Sequence, residues 1–420
     1  MRESCNPRHK LGGFDPLETD GKLILPFLSS PAVLHLCRST LHYVLRTLGT
    51  WLVTFVFHVP LQGVRLSTFF ARLALYIIFL WPAMLCGLIY WAFAGKDIFS
   101  VSYKDKGSFR HTVDIYLPSS TAKARLGETA KTPVLILVAG GAFILGHKGY
   151  VTMLCRALRR AGILCIAVDY RYWPQTNIDG MVDDVEHAIS WSFKNCSQYG
   201  GDPKRIALLG LSSGAHVAGL LLTRRAAVRP GSKTSWSTSD LVGFIGLGGI
   251  YELHSRFMAH LHNKGIDFFL QRLVLGDTQS LRESRSPSIL LRRDGSRLGK
   301  HLPPVLLVHG TGDKIVPTEQ SEVFCNELTK SGVRARLLFH KGQGHNDPVI
   351  HSPLMSNHET VQAIILSIHE WTSKSSGNKV SEALLKSSVP DTCKACLADL
   401  PTWPRTPEAV IHIARLLTPF

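Results

Sequence analysis

The sharpest constraint on the fold lies near the middle of the chain. Residues Ile206 to Leu209 form a short, wholly apolar run. Gly210-Leu211-Ser212-Ser213-Gly214 follows at once, and helical spacing begins at about Ala215. An apolar run this short fits a strand buried on both faces of a sheet. A G-x-S-x-G turn between such a strand and a helix is the setting of a nucleophile elbow, in which the serine hydroxyl is lifted clear of the sheet at a helix N-terminus. A Gly/Ser-rich turn would account for the five residues alone. Their place between strand and helix is what favours a nucleophile.

The rest of the chain from Ser100 repeats that alternation. Val113 to Leu117 alternates and stops at Pro118, as an antiparallel strand would. Val134 to Val138 and Ile163 to Val168 are continuous apolar runs, and Leu241 to Leu247, Val305 to Val308 and Arg336 to Phe339 extend the series. Met181 to about Phe193, Glu319 to Lys330 and Glu359 to Thr372 have helical spacing. Strands alternating with helices predict an α/β fold, a mostly parallel central sheet with helices on both faces. The catalytic domain is expected over residues 100–373, with 251–300, Arg-rich and without a readable motif, as a possible cap. Residues 374–420, rich in Ser, Lys and Pro, read as a tail.

A serine hydroxyl needs a base to take its proton, and behind an elbow of this kind the acid and then the histidine follow in chain order. The Val305–His309 run ends in Gly310-Thr-Gly-Asp313, so Asp313 falls just past a strand's carboxyl end, where open α/β sheets build their sites. Past the next strand comes Lys341-Gly-Gln-Gly-His345-Asn-Asp347. Ser212, His345 and Asp313 therefore form the candidate catalytic set. His309 rivals His345 and reads better as a strand-end neighbour of Asp313; Asp347 is the weaker rival acid. A developing oxyanion also needs aimed donors. Val134 to Val138 runs into Ala139-Gly140-Gly141-Ala142-Phe143, where small residues let amides approach a carbonyl. Gly140, Gly141 and Ala142, with Leu211 and the amide of Ser213, form the candidate oxyanion and substrate group. Each motif closes a different strand on one edge of the sheet. The chemistry expected is hydrolysis of a carboxylic ester with no cofactor.

The N-terminal quarter has another character. Leu73 to Ala94 is 22 residues without a charge; as a helix it would span about 33 Å, enough for a hydrocarbon core of about 30 Å. Thr47 to Val64 is also uncharged but contains His58, Pro60 and Gln62, and reads equally as a second span, an interfacial helix or a hydrophobic wall. Residues 47–95 are thus a membrane region of one or two helices, with 73–94 the strongest, and 1–46 has no periodic segment. One span and two spans put the catalytic part on opposite sides. The net charge of +16 comes with no nucleic-acid module and no dense basic run, so scattered solvated charge or attraction to anionic lipid accounts for it. Nine cysteines, an odd number at irregular spacing, do not make a disulfide framework. The lone Cys393/Cys396 pair is too little for a metal, and none is assigned.

Taken together, Val113-Asp-Ile-Tyr-Leu-Pro118, Gly140-Gly-Ala-Phe-Ile-Leu-Gly146, Asp169-Tyr-Arg-Tyr-Trp-Pro174, Tyr199 to Ile206, Gly210 to His216 and His309-Gly-Thr-Gly-Asp313 resemble the esterase/lipase branch of the α/β-hydrolases. Within it they resemble the plant-type isoprenylcysteine methylesterases. The resemblance covers roughly residues 50 to 372 and includes the hydrophobic N-terminal region. It implies an α/β-hydrolase fold behind a transmembrane region. It also implies demethylation of the C-terminal methyl ester of a prenylated cysteine at an endoplasmic reticulum or Golgi membrane. Another lipid-like ester is the alternative substrate; membrane lipid is expected as a partner and nucleic acid is not. Ala139 stands where many of the branch have His; Leu211 and Ser213 replace the usual Gln or Asp and Ala. None of these changes removes a backbone donor.

Overall fold

The computed structural model describes residues 98–372, apart from 128–129, 229–235, 254–256, 258, 261–273, 277 and 352–358, together with five separate positions between 67 and 75. The two uncharged N-terminal stretches and the tail fall almost wholly outside these residues. No helix among the described residues is long and apolar enough to cross a membrane.

Eight strands build one sheet: β1 Ile98–Ser102, β2 Thr112–Tyr116, β3 Thr132–Val138, β4 Leu164–Val168, β5 Gly201–Leu211, β6 Leu241–Leu247, β7 Val305–Gly310 and β8 Ala335–His340. The spatial order is β1-β2-β4-β3-β5-β6-β7-β8. Pairing is antiparallel from β1 to β2 and from β2 to β4, and parallel everywhere else. This is the mostly parallel sheet that the strand–helix alternation predicts. The helices that flank it include α1 Ser120–Leu126, α2 Thr152–Arg160, α3 Ile178–Asn195, α4 Ser213–Ala226, α5 Gln279–Ser284, α6 Pro287–Leu298, α7 Glu319–Lys330 and α8 Glu359–Thr372.

The period-2 alternation of a strand sorts the core into two layers. Val134, Ile136 and Val138 of β3 face one apolar cluster, which α3, α4, α6 and α7 cover; Leu135, Leu137 and Ala139 face the other, covered by α2 and α8. Apolar runs with polar residues at neither parity are the direct consequence. Of the stretch expected as a cap, α6 packs against α4 and α7 as part of the first layer.

Parallel strands put their carboxyl ends on one edge, and the loops there are tied down by buried charge. Asp184 of α3 has no exposed side-chain surface. It accepts from Arg171 Nε at 2.8 Å, Arg171 Nη2 at 3.0 Å and the Arg171 amide at 3.2 Å, and it meets His111 at 2.9 Å and Lys104 at 3.3 Å. One carboxylate thus joins the β1–β2 loop to the segment after β4. Burial by itself would raise its pKa; the Arg171 hydrogen bonds, with His111, hold it below the usual carboxylate value. A depressed carboxylate contributes stability above its unfolded value of about 3.9 and loses that contribution as pH falls through the folded one. Asp184→Asn should therefore cost about 2–3 kcal/mol at pH 7, below the usual 3–5 for a broken buried pair because Arg171 and Lys104 reach solvent. In urea melts the gap to the parent protein should narrow below about pH 4; a gap independent of pH would exclude this account.

Candidate active site

The residues singled out at the ends of β3, β5, β7 and β8 meet at one point. Ser212 follows β5 with φ 55° and ψ −121° and starts α4. The turn is as tight as the motif demands: a Cβ at Gly210 would lie 2.4 Å from the Ala215 Cα, and one at Gly214 2.3 Å from the Val138 carbonyl oxygen. The Ser212 amide is held by the Leu247 carbonyl at 2.8 Å, which fixes the elbow to β6.

The Ser212 hydroxyl lies 2.7 Å from His345 Nε2, and His345 Nδ1 lies 2.6 Å from Asp313 Oδ2. A carboxylate only accepts, so Nδ1 carries the proton and Nε2 is left to accept from the serine O–H. The Asp313 side chain is 1% exposed. Burial alone would raise its pKa, but His345, and after it His309, hold it well below the carboxylate range. Its other oxygen accepts the amides of Ile315 at 2.8 Å and Val316 at 2.9 Å. The loop carrying His345 is stitched to its surroundings: Gly344 donates to Asp347 at 2.8 Å, Gln343 Nε2 to Glu359 at 2.9 Å, and the Gly312 amide to the Gln343 carbonyl at 2.9 Å. Asp347, the rival acid, thus holds the loop backbone while the imidazole turns to Asp313.

On the other side of Ser212, Ala142 and Phe143 have φ of 52° and 66°; with Ser212 they are the described non-glycine residues at positive φ. The turn closes through Ile144 and Leu145 donating to the Gly141 carbonyl, which leaves the Gly141 and Ala142 amides outside it. The Ser213 amide opens α4, so no carbonyl of the preceding helical turn stands behind it. Gly140 packs against the Leu211 carbonyl and Ser212 Cβ. Leu211 itself, grouped with the substrate residues in the sequence, sends its side chain into the α2/α8 core layer.

The Asp169-Tyr-Arg-Tyr-Trp segment props up this strained loop. Tyr170 donates to the Ala139 carbonyl at 2.8 Å, Trp173 to the Phe143 carbonyl at 3.0 Å, and the Tyr172 ring occupies the space beside Gly146. Arg110 donates to the Gly146 carbonyl at 2.9 Å and pairs with Asp169 at 3.1 Å. His216, its pKa pushed down to about 4 by burial, makes a T-shaped contact with Phe143, ring centres 5.4 Å apart, and contacts the Ile250 carbonyl at 3.0 Å. None of these supports is legible in the sequence as a site residue, and neither is Gly248. Gly248 has φ +52°, and a Cβ there would lie 3.3 Å from His345 Nδ1 and 3.4 Å from Asp313 Oδ2. Its place at the carboxyl end of β6, on the same edge, is the signal that could have found it. Among the described residues no group of three His, Cys, Asp or Glu side chains could hold a metal ion.

Chemically, a hydroxyl facing an imidazole whose far nitrogen is pinned by a carboxylate, beside amides free of the turn, suits acyl transfer. The comparisons agree on this class. A family model described as BD-FAE matches residues 113–328, and that of the Prolyl oligopeptidase family matches residues 292–378. A probable isoprenylcysteine alpha-carbonyl methylesterase of Oryza sativa subsp. japonica is 31% identical over 333 residues, covering 78% of this chain and 76% of its own. The isoprenylcysteine alpha-carbonyl methylesterase of Arabidopsis thaliana is 30% identical over 361 residues, covering 85% and 78%. Esterase LipC of Mycobacterium tuberculosis is 31% identical over 207 residues, about half of each chain. Among solved structures, a hyperthermophilic esterase from the archeon Pyrobaculum calidifontis superposes with a TM-score of 0.52 at 18% identity, covering 73% of this chain and 92% of its own. A thermostable esterase from Pseudomonas putida ECU1011 gives 0.51 at 18% identity, covering 65% and 82%. At such identities these two establish the α/β-hydrolase fold.

Gly248→Ala adds one methyl against the His345–Asp313 contact, in a backbone conformation that side chains disfavour. It should lower kcat on p-nitrophenyl acetate about 10- to 100-fold, in line with sub-ångström misplacement of a catalytic pair, with KM little changed. Wild-type kcat in this variant would show that the position is not critical.

Proposed function

The chain belongs to the isoprenylcysteine alpha-carbonyl methylesterase family and is a carboxylic-ester hydrolase, and from that premise we propose that it removes the methyl ester from C-terminal prenylated cysteines, with Ser212 as nucleophile, His345 as general base and Asp313 as the acid that orients it. The observation that carries the reading is the unbroken contact from Ser212 through His345 to Asp313, at 2.7 and 2.6 Å.

His345 Nε2 takes the hydroxyl proton as Ser212 Oγ bonds to the ester carbonyl carbon. The carbonyl oxygen becomes an oxyanion and accepts from the amides of Ser213 and of Gly141 and Ala142. Asp313 stabilises the imidazolium that forms. Collapse breaks the bond to methoxide, which takes the proton from His345 Nε2 and leaves as methanol. Water, deprotonated by the same nitrogen, then attacks the acyl-serine, His345 returns that proton to Ser212 Oγ as the acyl bond breaks, and the carboxylic acid departs and loses its own proton to solvent.

The charge-free run from Leu73 to Ala94 supports a membrane anchor, and an endoplasmic reticulum or Golgi membrane is the site that a lipid-bearing substrate of this kind would imply. The prenyl group supplies the specificity: each buried CH₂ contributes about 0.8 kcal/mol.

The test compares farnesylcysteine methyl ester with the unprenylated methyl ester, using full-length protein in detergent or vesicles. We expect kcat/KM to favour the prenylated ester by about 100-fold or more, well within what a buried C15 chain can supply, and Ser212→Ala to lose both hydrolysis and labelling by a fluorophosphonate. Indifference to the prenyl group would leave a lipid carboxylesterase or formamidase of other specificity; wild-type protein that resists the probe would leave a non-catalytic scaffold.

A further inference from the structure

Asp313 is touched by a second imidazole. His309 lies on β7, four residues before the acid, and its ring is buried, with 1% of the residue exposed. Its Nε2 is 3.1 Å from Asp313 Oδ2 and 3.0 Å from the Val316 carbonyl oxygen. Both of those only accept, so Nε2 carries a proton shared between them. Its Nδ1 lies 2.7 Å from Ser321 Oγ on α7, whose hydroxyl donates to it when the ring is neutral. The ring therefore has a fixed orientation and a fixed tautomer. Both oxygens of Asp313 are saturated: Oδ1 by two amides and Oδ2 by two imidazole N–H groups.

We propose that His309 is a positioning residue of the site, which clamps the Asp313 carboxylate against His345 and, by drawing off part of its charge, sets the pH at which His345 becomes an effective base. The reasoning is electrostatic. A donor on Oδ2 spreads the carboxylate's negative charge over two imidazoles. Without it the whole charge faces His345, the imidazolium is stabilised, and the base stays protonated to higher pH. The carboxylate also loses one of the four bonds that stop it turning. The same loop carries Lys314, the helical residue His260 meets the Ile315 carbonyl at 3.1 Å, and Asp347 holds the loop of His345. These groups stay unchanged in the test, so that any shift is traced to position 309.

The inference rests on the reading of His345 as general base. The experiment uses the full chain with His309→Leu, His309→Asn and His309→Gln, and follows both the rate of fluorophosphonate labelling and kcat and KM for p-nitrophenyl acetate from pH 5 to 9. His309→Leu should move the acid limb up by about half to one unit and lower kcat about tenfold, with KM within about twofold. His309→Gln, long enough to bring an amide N–H to the same oxygen, should return most of the way to the parent profile. His309→Asn, which falls short, should behave as His309→Leu and stands in for it should the leucine variant not fold. An acid limb unmoved in both His309→Asn and His309→Leu, or a glutamine variant no closer to the parent than the asparagine one, overturns the proposal while Ser212→Ala stays unlabelled. Labelling of Ser212→Ala overturns the underlying triad reading as well.

Discussion

The Asp313 carboxylate is the interaction on which the site depends. A buried charge is tolerated when its lone pairs are filled, and here four N–H donors fill them: two amides of its own loop and two imidazoles. That saturation explains why the loop Gly310 to Val316 has the form it has, since the chain must curl back on itself to bring the Ile315 and Val316 amides to one oxygen. It also explains the preference for a bare Gly248 at the end of β6, because a Cβ there would crowd the imidazole–carboxylate pair at 3.3–3.4 Å in a left-handed conformation. The sheet supplies the rest. Parallel pairing of β5 with β6, β6 with β7 and β7 with β8 brings the elbow, the acid loop and the histidine loop to the same edge, though Ser212 and His345 are 133 positions apart in the chain.

Strain is concentrated where the chemistry is and relieved by rigid neighbours. Positive φ at Ala142, Phe143 and Ser212 costs about 1–3 kcal/mol at each residue and persists only when the surroundings over-determine it. For Ser212 they do so through the β6 hydrogen bond and the close-packed glycines. For the loop from Gly140 to Phe143 they do so through Tyr170, Tyr172 and Trp173, and through the Arg110–Asp169 pair. The Asp184 cluster then fixes Arg171 in the middle of that segment to α3. Orientation of the Gly141 and Ala142 amides is thus tied to ion pairs built on the buried carboxylates of Asp169 and Asp184.

How much of this a sequence can disclose follows from what each residue does. Buried parallel strands are plain because both of their faces are apolar, and β6 and the helices α7 and α8 fall at the residues their spacing indicates. The start of β5 is concealed: Gly201 to Arg205 is polar, yet it pairs as strand through a register shift against β3. α2 is concealed as well, since Arg156 and Arg159 are buried in it and Arg159 satisfies the Leu117 carbonyl at 2.6 Å, which blurs the apolar stripe. α4 begins two residues before its apolar periodicity because the elbow, not hydrophobicity, sets its start. At the site, Ser212, Asp313 and His345 are legible because in an α/β-hydrolase fold the serine, the acid and the histidine follow one another in a fixed chain order. The supports are not, because Tyr170, Arg110 and Gly248 act through contacts between segments far apart in sequence. His309 is legible as a rival base that reads better as a strand-end neighbour of the acid; the role proposed for it depends on the direction of its ring.

The topology also bears on how a membrane anchor could serve such a site. β1 runs antiparallel to β2, and β2 antiparallel to β4, so β1 is parallel to the central strands and Ile98 enters the sheet at the edge opposite Ser212. An apolar segment ending at Ala94 leaves only three residues before that entry point, about 10 Å of extended chain. An anchor there would hold the domain by its far edge, with the elbow opening away from the point of attachment. On that arrangement an anchor would raise the local concentration of a membrane-borne ester without pressing the site onto the bilayer. Because a prenylated cysteine carries its lipid and its methyl ester on one residue, such a substrate would have to bring its prenyl chain out of the bilayer to reach the elbow, so the domain itself would have to bury that chain.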